Sequence, residues 1–272
     1  MGTRAVIIGV AGRMGRALTR TAAEFAELTL TGAIASPESA ALGRDAGELA
    51  GVASLGLTVS ADLAGALRDA DVALDFSIPE ACAAHLAACR AAGTPLLIGT
   101  TGLPEALGEA DLAQAAHHIP LLVASNTSLG VTLLTELVRQ AAASLPLEFD
   151  VEIFETHHRM KRDAPSGTAL MLARAAADAR GLAPAEALAG VRSGRGGPRR
   201  AGEIGFAVAR GGDVVGEHDV RFLGPGEQLV LGHRATDRSI FARGALTAAL
   251  WLAEQPAGRY EMRDILALKS IG

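Results

Sequence analysis

The six residues His157-His158-Arg159-Met160-Lys161-Arg162 hold five basic side chains, in a chain whose formal charge is −5. Such a cluster repels itself unless an anion or acidic neighbours compensate it. Pro165-Ser166-Gly167-Thr168 follows, opening an Ala-rich helical run from Ala169 to Ala179. Ser and Thr suit a helix cap, and the first N–H groups of a helix point outward and attract anions. Cations beside a helix N-terminus make a site for a small carboxylate or dicarboxylate, and Gly167 lets it come close. A histidine such as His157, with an ordinary pKa of about 6.5, can give or take a proton at neutral pH. Lys161, crowded by other cations, is expected to lose its proton more readily. Two adjacent histidines and a charge run are also ordinary surface composition. Their conjunction with a helix start is what points to proton chemistry beside a bound anion.

A second constellation lies at the N-terminus. Ile7-Ile8 runs into Gly9-Val10-Ala11-Gly12-Arg13-Met14-Gly15, and a helix follows. Glycines there permit a tight turn and let a pyrophosphate reach the N–H groups of the helix start. The spacing is Gly-x-x-Gly-x-x-Gly, with Ala11 where the dinucleotide fingerprint has its second glycine. A plain strand-to-helix turn would use the same residues. The acid that grips the adenosine ribose in NAD-binding folds is expected at the end of the second strand. Ser36 stands there instead, with Glu38 two residues on, behind a proline. Arg13 is either a partner for a 2′-phosphate, which suits NADPH, or a solvated helix residue. Phe76-Ser77 after Asp75, then Gly99-Thr100-Thr101, then Ala124-Ser125-Asn126-Thr127, each end an apolar run. Ligands of open α/β sheets bind outside such strand ends. Ordinary helix-start turns are the alternative reading.

The elements that must position these residues follow from the apolar pattern. Ala5–Ile8, Leu28–Ala35, Val72–Phe76, Pro95–Ile98 and Pro120–Ala124 read as buried strands. Arg13–Glu24, Glu80–Ala92 and Pro104–His117 read as helices between them. That alternation predicts an α/β doubly wound parallel sheet. The pattern then changes, with a long helix over Leu129–Leu145 and a strand over Phe149–Thr156. From Ile204 the apolar residues alternate. Gly211-Gly212 and Gly224-Pro225-Gly226 punctuate runs at Val214–Phe222 and Leu229–Leu231, which predicts an antiparallel meander. Ser239–Ala253 reads as an amphipathic helix. The expected organisation is a dinucleotide-binding domain over 1–126, a mixed α+β domain carrying the candidate anion site over 127–237, and a return to the first domain over 238–272. With the two sites on different domains, closure between them is expected.

Composition narrows the class further. The 272 residues are 49% hydrophobic and 20% charged, enough for a buried core. Lys and Arg number 25 against 30 Asp and Glu, which argues against a general nucleic-acid coat. Aromatics are 3%, too few for base-stacking platforms. Cys82 and Cys89 fit neither a metal knuckle nor a redox pair and read as packing. No His, Cys, Asp and Glu spacing makes a convincing metal set, so none is expected. No apolar run reaches the length of a membrane span, and the opening strand is too short for a signal region. A cytoplasmic protein with no membrane or nucleic-acid partner is the expectation.

The ordered set GxxGRMG, DFS, IGTTG, ASNTSLGV, ETHHRMKRDAPSGTA and a late GEH resembles the dihydrodipicolinate reductase family of bacterial lysine biosynthesis. The resemblance runs from Gly9 to about Trp251. It implies a Rossmann-type first domain, a second domain with an open mixed sheet, and a homotetramer formed by those sheets. It also implies reduction of the cyclic dicarboxylate 4-hydroxy-tetrahydrodipicolinate to tetrahydrodipicolinate by NADPH or NADH. On matching positions, His157 resembles the family's catalytic acid/base, and Lys161 its proton donor and substrate contact. His158 resembles a substrate-carboxylate ligand, with Ser166, Gly167 and Thr168 as the helix-end cradle. Gly9 to Met14, Gly99 to Thr101 and Ala124 to Thr127 resemble the cofactor contacts, with Phe76 and Ser77 nearby. Ser36 departs from the acid many members carry, so an NADH preference does not transfer. Arg192, Gly194, Gly197 and Arg199 match a further family pattern, read here as a subunit or active-site contact or as a solvated loop. The competing readings are an aspartate-type amino-acid dehydrogenase on the same scaffold, or a dinucleotide sensor without turnover.

Overall fold

The computed structural model describes residues 2–103, 107–190, 192, 194–195 and 197–266. The chain forms two compact units, one of residues 1–128 and 239–272, the other of residues 129–238.

The first unit opens with β1 (Thr3–Ile8), α1 (Arg13–Ala22) and β2 (Leu28–Ile34). Then come α2 (Ala46–Ala50), β3 (Val59–Ser60), α3 (Leu63–Leu67) and β4 (Val72–Asp75). A 3₁₀ turn at Pro79–Ala81 leads into α4 (Cys82–Ala92), so the helix expected from Glu80 starts two residues later. β5 (Leu96–Ile98), α5 (Glu109–Ala116) and β6 (Pro120–Val123) complete the run. Pro104, expected to open that last helix, lies outside the described residues. The second unit holds α6 (Leu129–Ser144), β7 (Asp150–His157), α7 (Gly167–Ala179) and α8 (Pro184–Ala187). It continues with β8 (Ile204–Arg210), β9 (Gly216–Gly224) and β10 (Glu227–Ala235). The chain then returns to the first unit as α9 (Ser239–Leu252) and β11 (Gly258–Tyr260).

The first sheet has the order β11-β6-β5-β4-β1-β2-β3 and is parallel throughout. Its central strands are buried on both faces, which explains their unbroken apolar runs. Val6, Ile8, Leu96 and Ile98 pack with Leu86, Cys82 and Cys89 of α4. Both cysteines are free and buried. α2, β3, α3 and β11 are too short to leave a period in the sequence.

The second sheet runs β10-β9-β7-β8, with β7 parallel to β8 and antiparallel to β9. This overturns the predicted meander, because β7 lies between β8 and β9. Gly211 and Gly212 turn the chain over the end of β7, Gly211 N–H donating to the His157 carbonyl at 2.9 Å. Residues 211–215 need span only two strand spacings, about 10 Å, so a short glycine-containing link fits a hairpin and a one-strand skip equally well. Val151 and Ile153 of β7, Val220 and Phe222 of β9, and Ile204 and Phe206 of β8 form one core with Leu172, Ala173 and Ala176 of α7.

Candidate active site

The basic segment stands where the core of the second unit runs out. On β7, alternate residues from Val151 through Ile153 to Glu155 and His157 are buried. Glu155 lies opposite His218 of β9, and His157 beside Arg210 of β8. One row of the pleat therefore changes from apolar to ionisable as it reaches the strand ends.

Glu155 is the centre of this group, its side chain sealed from solvent. Oε1 accepts from Ser166 N–H at 2.8 Å and Arg210 Nη2 at 3.0 Å, and Oε2 accepts from Arg210 Nη1 at 3.1 Å. His157 Nδ1 lies 2.5 Å from Oε2, a close contact made obliquely rather than along the N–H axis. Burial pushes the Glu155 carboxyl upward, but Arg210, the Ser166 N–H and His157 outweigh it and hold it below the usual range. Burial holds His157 below its usual value. Glu155 opposes that shift, while Lys161 and Arg210 reinforce it. His218, edge-on to His157 with ring centres 5.0 Å apart, is pushed down to about 4 by burial and by His157.

Lys161 Nζ lies 2.9 Å from Asp163 Oδ2. The crowding by cations expected around it is thus offset by an acid two residues away. His158 Nε2 lies 3.0 Å from Arg238 Nη2, and since a guanidinium only donates, this nitrogen accepts. Ser166 caps α7 by accepting from Ala169 N–H at 3.1 Å, and its Oγ pairs with His218 Nε2 at 2.9 Å. Ser166 therefore builds the cradle from behind. Gly167 and Thr168 open the helix, and a side chain at Gly167 would meet nothing within 4 Å. Open space beside a helix N-terminus favours an anion.

Sequence reading missed Glu155, Arg210, His218 and Arg238. For the first three a signal existed, since each is ionisable in the buried register of an alternating strand. Nothing local marks Arg238. Glu155, His157 and His218 place three ligand-type atoms within 4.8 Å, a grouping that sequence spacing cannot show. The Arg210 guanidinium already occupies the carboxylate, so a metal ion would have to displace it. Of the Arg192–Arg200 segment, Arg199 lies away from this group. Arg199 Nη2 donates to Val151 O at 2.8 Å and its Nε pairs with Asp150 at 2.9 Å, at the other end of β7 from His157.

In the first unit, the glycine turn is a backbone device. Gly9 has φ 86°, and a side chain on it would come within 2.6 Å of the Phe76 carbonyl. One on Gly15 would meet Gly9 O at 2.3 Å. Gly12 caps α1 without a side chain, and the first turn carries no acid, leaving the positive helix end for a ligand. A recess of about 450 Å³ is lined by Gly12, Arg13, Met14, Phe76, Ser77, Gly99, Thr100, Thr101 and Ala124 to Thr127, with Phe241 of α9. A second, of about 410 Å³, takes in Gly9, Ala11, Gly12, Ser36, Phe76 and Ser77, with apolar walls from Ile34, Leu63 and Ile78, and His85. Arg13 lines the first recess and Ser36 the second, and the two share Gly12, Phe76 and Ser77. Val10 lines neither, being a buried side chain whose N–H donates to Ile34 O at 3.0 Å. Asp75 is wholly buried beneath the recesses, accepting from Ser77 N–H and Oγ and pairing with His85 Nδ1 at 2.8 Å. Adjoining recesses around an uncapped helix start suit a dinucleotide.

Family models match both parts of the chain. Residues 3–127 match "Dihydrodipicolinate reductase, N-terminus", and residues 130–266 match "Dihydrodipicolinate reductase, C-terminus". The chain belongs to the dihydrodipicolinate reductase family. Within it, the 4-hydroxy-tetrahydrodipicolinate reductase of Anaeromyxobacter dehalogenans is 50% identical over 268 residues, covering 98% of each chain. That of Acinetobacter baumannii is 46% identical over 265 residues, 97% of this chain and 96% of its own. The solved structure of a dipicolinate-bound dihydrodipicolinate reductase from Paenisporosarcina sp. TG-14 shares the fold. Its TM-score is 0.77 at 24% identity, over 96% of this chain and 98% of its own. An amine dehydrogenase from Mycobacterium smegmatis has the same general fold, with a TM-score of 0.60 at 16% identity. The family's first domain is the NAD(P)-binding Rossmann domain, and this member carries it as its parallel sheet.

Proposed function

We propose that this chain reduces 4-hydroxy-tetrahydrodipicolinate to tetrahydrodipicolinate with NADPH or NADH. What supports this reading is Glu155, which contacts both His157 and the Ser166 N–H at the start of α7, with Lys161 close enough to act on His157, on a chain of this family. Net, the ring gains a hydride and loses its 4-hydroxyl as water, with one proton taken up and NAD(P)H oxidised to NAD(P)⁺. The bound dinucleotide supplies the hydride. We assign the first unit to it, with the turn from Gly9 to Met14 at the pyrophosphate and Gly99 to Thr101 and Ala124 to Thr127 around the nicotinamide half. Ser36 faces the adenosine end with no carboxylate among that recess's lining residues.

The second unit is assigned to the substrate. His158, Lys161 and the N–H groups of Gly167 and Thr168 hold its carboxylates. Fixed donors of this kind orient the ring and stabilise charge that builds during hydride arrival. His157 supplies the acid/base function, and Lys161 donates a proton and contacts substrate.

In the second unit, α6 and α7 pack on the core face of the mixed sheet. The other face carries Phe154, with the Arg221 guanidinium 4.2 Å from its ring centre, and the exposed Leu223 and Val230. Such a face supports association of four copies through their sheets. Among the described residues, no helix is long and apolar enough to cross a membrane. A reaction drawing on NAD(P)H and a small dicarboxylate suits the cytoplasm and needs no nucleic-acid partner.

The test is kcat/KM with NADPH and with NADH, the substrate being generated in situ by a coupled synthase. Turnover with either is expected. Dinucleotide binding by folded protein without turnover would overturn the assignment in favour of a sensor.

A further inference from the structure

Glu155 touches both halves of the second unit's site. Its Oε2 meets His157 Nδ1, and its Oε1 accepts the N–H of Ser166, the residue that caps α7. Arg210 reaches it through two nitrogens and also donates to the Asp163 carbonyl at 2.6 Å, next to the Lys161 ion pair. The Nδ1 atom of His157 is sealed from solvent. Nε2, on the other side of the ring, lies over Gly216, where a side chain would come within 3.0 Å of it. One ring nitrogen is thus closed off against a carboxylate, and the absence of a side chain at residue 216 keeps room beside the other.

We infer that Glu155 is a positioning residue for the reaction, holding His157 with its proton on Nδ1 so that Nε2 is the atom that exchanges a proton. The inference rests on the acid/base role assigned to His157 above. A carboxylate behind an imidazole fixes its tautomer and stabilises its protonated form. By also binding the Ser166 N–H, Glu155 sets the imidazole and the helix-end cradle at a fixed distance from each other. Four further groups bear on His157. Arg210 of β8 and Lys161 of the following segment disfavour its charge, and Asp163 screens Lys161. His218 of β9 is neutral near pH 7. Among the described residues, the anion in contact with the ring is Glu155.

The experiment compares Glu155→Gln, Glu155→Asp and His157→Gln with the unchanged protein across pH. Glu155→Gln is expected to lower kcat at least about tenfold, with both KM values within about threefold. The alkaline limb of its kcat profile should move to lower pH by about one unit, because imidazolium loses its counter-charge. Glu155→Asp should recover part of both. A lower melting temperature with an unmoved limb would show a purely structural acid and overturn the inference. If Glu155→Gln does not fold, ¹⁵N shifts of His157 in the unchanged protein decide. A protonated Nδ1 with bare Nε2 is expected near neutral pH, and the reverse tautomer overturns the inference. Normal turnover by His157→Gln would remove the parent assignment. An inactive His157→Gln beside an unaffected Glu155→Gln would remove this inference alone.

Discussion

His157 and His218 lie almost within touching distance, and burial keeps both easier to deprotonate than a free imidazole. Replacing His157 by Gln is expected to cut kcat about 10²–10³-fold with the fold intact, as is Lys161→Ala. Circular dichroism together with steady-state kinetics checks this, and a near-normal rate would remove that residue from the mechanism. The same burial links stability to pH. A histidine whose folded pKa is depressed adds stability that is full above its unfolded value and fades as pH falls toward its folded value. For His218 the window runs from about 6.5 down to about 4, worth on the order of 3 kcal/mol. Glu155, also depressed, loses its share at lower pH still. Urea midpoints should therefore fall between pH 7 and pH 4.5, and His218→Asn should flatten that fall. Of this site, the sequence showed the cluster and its helix start, because those residues are contiguous. It hid the pairing of Glu155 with Arg210, because Arg210 is 55 residues from Glu155 and meets it only across strands.

At the scale of elements, two glycines do different work. Gly167 begins α7 with open space beside it. Gly167→Ala should leave melting unchanged or slightly raised, since Ala favours helix, while raising KM for the dicarboxylate at least about tenfold. An unchanged KM would show that the anion lies elsewhere. Gly9, in contrast, is left-handed and presses on the Phe76 carbonyl. Gly9→Ala should weaken NADPH binding in calorimetry at least about tenfold, with the second unit unaffected. The strand-helix alternation of the first unit was readable because its central strands are apolar throughout. The place of β8 was not, because a glycine turn limits the reach of the chain without naming the strand it pairs with. β10 runs from Glu227 to Ala235, longer than the Leu229–Leu231 run, since an edge strand with polar, exposed positions leaves little apolar signal.

For the molecule as a whole, the prediction is four chains of 27.7 kDa in light scattering. Val230→Lys, on the face of the mixed sheet opposite its core, should lower that mass while far-ultraviolet dichroism stays the same, because a buried lysine at a subunit contact is costly. A mass near 27.7 kDa for the unchanged protein would sink the assembly. The sequence by itself determined the α/β class, the glycine turn, the basic segment with its helix start and the existence of a C-terminal helix. Those properties are written in contiguous residues and in local periodicity. Tertiary structure alone decided that β7 lies between β8 and β9, that Glu155 joins His157 to the cap of α7, and that α9 and β11 return to the first unit. Each of these depends on which strands and loops come together, and strand pairing is a long-range choice that no local pattern encodes.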